Sequence, residues 1–138
     1  MDRDAFIAEA RSYVAQSVRF RHQGRSRRGV DCAGLVAVSL AAAGVSYIDS
    51  PAYGRHPINQ GLRGYLVRNF GPSIPADSMG AGDVALMRFG GEPCHVGIVA
   101  THPQGGLSLI HSYATLKRVV EHRIDAEWRS YIVEVFRP

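Results

Sequence analysis

Residues 83–101 read DVALMRFGGEPCHVGIVAT, and their rhythm sets the fold class. Apolar residues recur at every second position on either side of Gly90-Gly91, the period of a strand whose successive side chains point to opposite faces. A two-strand unit with a glycine turn is the simplest reading. The same rhythm returns in LSLIHSYA (107–114), KRVVEHRI (117–124) and YIVEVFRP (131–138), with Gly105-Gly106 marking a further turn. About five antiparallel strands of one sheet are therefore expected.

Upstream the period is helical. Phe6, Ile7, Ala10, Tyr13, Val14 and Ser17 share one side of a helix over 4–18, with Asp4 as its cap and Glu9 and Arg11 on the other side. The segment 19–30 reads as a loop, and DCAGLVAVSLAAAG (31–44) as a buried helix closed by Gly44. Between Val45 and Gly82 the chain carries Pro51, Pro57, Pro72 and Pro75, and only LRGYLVRNF (62–70) has helical character. Helices followed by a run of strands predict an α+β fold in which the helices cover the sheet.

Composition agrees with one globular domain over residues 1–138. The chain is 46% hydrophobic and 20% charged, and at this length folding buries roughly two-thirds of its surface. No apolar run approaches the roughly 20 residues of a membrane span. MDRDAFIAEARSYV has acidic residues where a secretory signal carries positive charge, so export is expected to depend on something else. The net charge is +4 and fifteen of the sixteen basic residues are Arg. Arg19, Arg21, Arg25, Arg27 and Arg28 crowd one stretch, suited to a solvated loop, to an anionic partner or to carboxylates. Neither a nucleic-acid motif nor an aromatic ladder accompanies them, which disfavours nucleic-acid binding.

Cys32 opens the second helix, where the positive dipole end favours thiolate, and a depressed pKa is expected. In CHVGIVAT, His95, Gly97, Val99 and Thr101 share a face; in the next strand so do Leu107, Leu109, His111 and Tyr113. If those faces meet the helix, Cys32, His95 and His111 converge as nucleophile, proton carrier and orienting group. Gly97 would then let the helix or a substrate approach the strand. Cys94 should lie buried behind the strand. A zinc site of Cys32, Cys94, His95 and His111 is disfavoured because neighbours in a strand point apart. His22, His56, His102 and His122 are expected in loops or at an exposed strand position, outside catalysis, with His22 near the cleft. Asp31 is expected to cap the helix, and Trp128 with Tyr131 to anchor the last helical turn.

GVDCAGLV (29–36), GAGDVALMRFG (80–90), CHVGIV (94–99) and LIHSYA (109–114) together resemble the signatures of the NlpC-type papain-like cysteine peptidases, which cut peptidoglycan stem peptides. The resemblance spans about residues 15 to 138. It implies a papain-like α+β fold with the nucleophile helix packed on the sheet, Cys32 as nucleophile, His95 as base and His111 as orienting residue, without cofactor or metal. Phe20 stands where the family usually has a Tyr that helps build the oxyanion site, and Ala33 where Ser is frequent. Phe20, His22 and Asp31 are the further candidates for substrate or oxyanion contact. RFRHQGRSRRGVDC (19–32), the central segment and VVEHRIDAEWRSYIVEVFRP (119–138) resemble small versions encoded with phage and gene-transfer-agent tail genes. That likeness implies tail or baseplate partners and action in the periplasm of a target cell. A weakly active or inactive structural tail component of the same fold is the alternative.

Overall fold

A computed structural model describes residues 1–49 and 61–138. Pro51, His56 and Pro57 lie outside the described residues. The first helix, α1 (Arg3–Ala15), is capped by Asp2, whose carboxylate accepts from the Ala5 N–H at 3.0 Å. Asp4 sits in the first turn instead, where its charge suits the helix dipole. Phe6, Ile7, Ala10 and Tyr13 form the buried side. The Arg-rich stretch is more ordered than its composition suggests. Strands β1 (Arg25–Ser26) and β2 (Gly29–Val30) make a short antiparallel hairpin that leads directly into α2 (Cys32–Ala42).

Asp31 caps α2 by accepting from the Gly34 N–H at 2.8 Å, and the helix ends before Gly44, whose φ of +75° suits a residue without a Cβ. Gly34 has a packing reason. A Cβ there would stand 2.1 Å from the Gly24 carbonyl oxygen, so a larger residue would push the preceding loop off the helix. After α3 (Gly61–Phe70) and a 3₁₀ turn (Ala76–Ser78) come β3 (Val84–Met87), β4 (His95–Thr101), β5 (Leu107–Tyr113), β6 (Arg118–Arg123), α4 (Ala126–Tyr131) and β7 (Ile132–Phe136). Strands β3 to β7 form one antiparallel sheet in the order β6-β5-β4-β3-β7.

The sheet is covered on both sides. Val84, Leu86, Val96, Ile98, Ala100, Ile110, Val119 and Phe136 join Phe6, Leu35, Val36 and Leu40 of α1 and α2 in the main core. On the opposite face Ala85, Met87, Val99 and Leu109 pack with Met79, Trp128, Tyr131 and Ile132. The helices therefore rest on the Val96 face of β4, not on the His95 face as the sequence pattern had suggested. Both faces are apolar, so alternation alone does not distinguish them.

Neighbouring segments strap both outer strands. The Ile74 N–H donates to the Val135 carbonyl at 2.8 Å beside β7. Beside β6, the Phe20 N–H donates to Lys117 at 2.9 Å, and the Val119 N–H to Val18 at 2.9 Å. Arg11 of α1 reaches β6 through Glu121, at 2.9 and 3.1 Å.

Candidate active site

The N-terminus of α2 meets the sheet at the start of β4, where the Val96 N–H reaches Cys32. Cys32 is half-buried there, and the backbone N–H groups of Val96 and Ala33 hydrogen-bond toward its sulfur. His95, the first residue of β4, lies on the face of the strand opposite Val96. Both residues line a cleft of about 570 Å³. Cys32 and His95 thus border one cleft although the sheet face carrying the histidine does not touch the helix.

Behind the cleft, His95 Nε2 lies 2.6 Å from Nδ1 of the fully buried His111. Gly97 makes this approach possible. A Cβ at position 97 would sit 2.6 Å from Leu109 Cδ1 and 3.2 Å from His111 Cβ. The absent side chain therefore admits the neighbouring strand, rather than the helix or a substrate. His111 Nε2 in turn lies 2.8 Å from His122 Nε2, and His122 Nδ1 lies 2.9 Å from the Arg123 carbonyl oxygen. His122 is half-buried on β6, not at the exposed position expected for it. Sequence reading missed this contact although β6 held the signal. Leu109 pairs with His122 and His111 with Val120, so His111 and His122 are diagonal neighbours on one face, within reach of two imidazoles.

Aromatic rings close over the histidines. Trp128 packs against His122 at 4.6 Å and His111 at 5.1 Å between centroids, and Phe89 covers His95 at 5.5 Å. Trp128 also meets Tyr131 edge-on at 5.3 Å, and both pack with Ile132 of β7, as expected of an anchor between the last helical turn and the final strand.

Burial decides the protonation states. It pushes the Cys32 thiol up to about 12, aided by the neighbouring Asp31 charge and opposed by the Val96 and Ala33 N–H groups. Burial also lowers His95 to about 4 and, together with the adjacent histidines, His111 to about 2. This raised value runs against the depressed thiol expected from the helix start: desolvation and Asp31 are the larger influences, and the backbone N–H groups at the helix start the smaller. The resting pair is a neutral thiol and a neutral imidazole, and its proton must move during attack.

The second cysteine also departs from expectation. Cys94 precedes β4, is exposed and opens onto the cleft. The expected burial behind the strand fails because Cys94 lies at the edge of the cleft, one residue before β4 begins at His95, although its N–H still donates to the Met87 carbonyl at 3.1 Å. Among the described residues no group of three or more His, Cys, Asp or Glu side chains is placed to hold a metal ion.

Phe20, His22 and Asp31 all border the cleft. Phe20 brings an apolar ring and no hydroxyl. Asp31 is 4% exposed and occupied with structure, accepting from the N–H groups of Gly34 and Gln23 and from Arg25 at 3.0 Å. Arg25 also binds Asp49, at 2.8 and 3.2 Å. The Arg cluster therefore divides. Arg27 pairs with Glu9 and lies 3.8 Å over the Tyr13 ring, and together with the exposed Arg19, Arg21 and Arg28 it borders a separate surface hollow. Tyr47, Leu62 and Tyr65 also line the cleft. Nothing in the spacing of those three tied them to Cys32.

The model of the NlpC/P60 family matches residues 17–137. The chain belongs to the NlpC/P60 family. Solved NlpC/P60 structures share its fold. An NlpC/P60 family protein from Bacillus cereus superposes with a TM-score of 0.73 at 17% identity, covering 99% of this chain and 40% of that one. The peptidoglycan hydrolase RipB from Mycobacterium tuberculosis gives 0.68 at 19% identity, covering 98% and 63%. The NlpC/P60 domain of the peptidoglycan hydrolase SagA gives 0.65 at 19%, with both chains covered in full. The chain therefore spans 40% of the length of the Bacillus protein and 63% of RipB. No curated protein matches it in sequence.

Proposed function

We propose that this NlpC/P60 chain is a cysteine endopeptidase that hydrolyses peptidoglycan stem peptides. The observation that carries the reading is the cleft shared by Cys32 and His95, with His111 bound to the far nitrogen of His95. Cys32 Sγ attacks the scissile carbonyl carbon while its proton passes to His95 Nδ1, the ring nitrogen left open by His111. The carbonyl oxygen becomes an oxyanion facing the start of α2, where the Cys32 N–H is the donor and Phe20 offers none. Collapse expels the amine, which takes the proton from His95 and leaves a thioester. Water then gives a proton to His95 and its oxygen to the acyl carbon, releasing the acid and restoring the thiol.

Purified protein is to be incubated with a diaminopimelate-type Gram-negative wall and the released fragments identified by mass. Peptide fragments cut near the D-glutamyl bond, and their loss in Cys32→Ala by about 10⁴- to 10⁶-fold, are expected. A folded Cys32→Ala protein with undiminished turnover would overturn the reading. A wild-type chain without turnover would favour a structural role, which the missing hydroxyl at Phe20 keeps in view.

Delivery by a phage or gene-transfer-agent tail, with action in the periplasm of the target cell, is part of the same proposal. Its support is the resemblance of residues 19–32 and 119–138 to tail-encoded versions. Arg19, Arg21 and Arg28 are the exposed cations offered to a tail or baseplate partner. Replacing them together should leave kinetics on soluble fragments unchanged and remove the protein from assembled particles; retention in particles would exclude this docking surface.

A further inference from the structure

His95, His111 and His122 form a chain in which every contact joins two ring nitrogens, and it ends on a group of fixed polarity. A carbonyl oxygen only accepts, so at 2.9 Å from Arg123 a His122 ring holding a single proton carries it on Nδ1. Nε2 of His122 then has only a lone pair. His111 Nε2, 2.8 Å away, must donate to it, which leaves His111 Nδ1 as an acceptor. His95 Nε2, 2.6 Å from that acceptor, must therefore carry the hydrogen, and the lone pair of His95 falls on Nδ1.

We propose that His122 is a positioning residue that fixes the tautomers of His111 and His95, so that His95 keeps Nδ1 unprotonated toward the cleft. The opposite set would put a lone pair of His122 against the Arg123 carbonyl and a hydrogen on His95 Nδ1, where a base needs none. Two further features serve the same end. Trp128 packs against both His122 and His111, holding the two rings in contact. Burial lowers His95 and His111 well below neutral pH, so both rings stay uncharged and each keeps one donor and one acceptor. The third member of the arrangement is thus itself oriented, from a strand two places away from β4 in the sheet.

The consequence for rate rests on the proposed roles of Cys32 and His95; the tautomers themselves do not. Long-range ¹H–¹⁵N correlation on the intact protein at pH 7 reads the tautomers without turnover. His95 and His111 are expected as Nε2–H and His122 as Nδ1–H. Finding His111 as Nδ1–H, or as a mixture, overturns the proposal even if the enzyme is active.

His122→Gln keeps an accepting oxygen near Nε2, whereas His122→Leu removes it. A wrong tautomer costs about 10⁴-fold in a Ser-His-Asp triad, so His122→Leu, which leaves the choice open, should lose at least about 10-fold in kcat. KM should hold, because His122 does not line the cleft. His122→Gln should restore most of the rate. Equal kcat in His122→Leu and wild type refutes positioning. Should the wild type show no hydrolysis, only the functional reading fails, and the tautomer spectrum still decides the proposal. The same spectrum decides it if His122→Leu does not fold.

Discussion

His95 Nε2 stands 2.6 Å from His111 Nδ1 on the sheet face turned away from α1 and α2. This pair joins β4 to β5 beneath the cleft and identifies which atom of His111 does the orienting. Side chains that replace that atom are expected to work, and those that replace the outer nitrogen are not.

Asn places its side-chain oxygen near the position of Nδ1, whereas Gln places its oxygen nearer Nε2. Turnover should therefore fall in the order wild type, His111→Asn, His111→Gln, His111→Ala. The Asn variant is expected to keep about 1–10% of the rate and the Ala variant to lose at least about 10³-fold. Steady-state kinetics on wall fragments check the order. An Ala variant as active as wild type would move the orienting role elsewhere.

Gly97→Ala would drive a Cβ into Leu109 and His111. Overpacking of this kind costs about 1–3 kcal/mol, and here it also shifts the imidazole. Both Tm and kcat should drop. Leu109→Ala in the same chain should recover the rate more than the stability, because it relieves the closest contact while opening a cavity. Thermal melts and turnover on the two variants test this.

Cys94 should be alkylated before Cys32 at pH 7. The first is exposed, and the second is held as a thiol by burial and by Asp31. Brief iodoacetamide treatment followed by peptide mapping gives the order. Preferential labelling of Cys32 would mean that the thiolate is already formed at rest.

Acid should destabilise the protein through its buried histidines. His95 falls from 6.5 in the unfolded chain to about 4, and His111 to about 2. Between those values the unfolded chain binds more protons, so stability is fully present above about pH 6.5 and declines as pH drops. The slope approaches about 1.4 kcal/mol per pH unit for each histidine. Denaturant melts from pH 7 to 4 should show it, with a shallower dependence in His111→Asn. A flat profile in the wild type would contradict the burial of these rings.

Alternation revealed all five strands of the main sheet, and helical spacing revealed α1 and α3. What it left open has identifiable physical origins. Val99 and Leu109 are as apolar as Val96 and Ile98, so the side facing the helices stayed ambiguous. Cys94 was assigned to a strand that starts one residue later, after Pro93, which reversed its exposure. The partnership of His111 with His122 depends on the β5–β6 register, set by the turn at 114–117. Cys32 and His95 stood out because a cysteine opening an apolar helix and a histidine before Val-Gly-Ile are distinctive. Tyr47 and Tyr65 did not, since a cleft wall is assembled from whatever the connections bring near.

The straps along the two outer strands bear on colloidal behaviour. An open sheet margin is a template on which another copy can grow a strand. Here Ile74 occupies part of the β7 margin, while Val18 and Phe20 occupy the start of the β6 margin. Neither side presents an uninterrupted row of unpaired amides and carbonyls, so concentrated solutions should stay monodisperse by light scattering. Ile74→Pro removes the amide that engages Val135 and should bring on self-association at lower concentration, turning a shielded molecule into one that stacks upon itself.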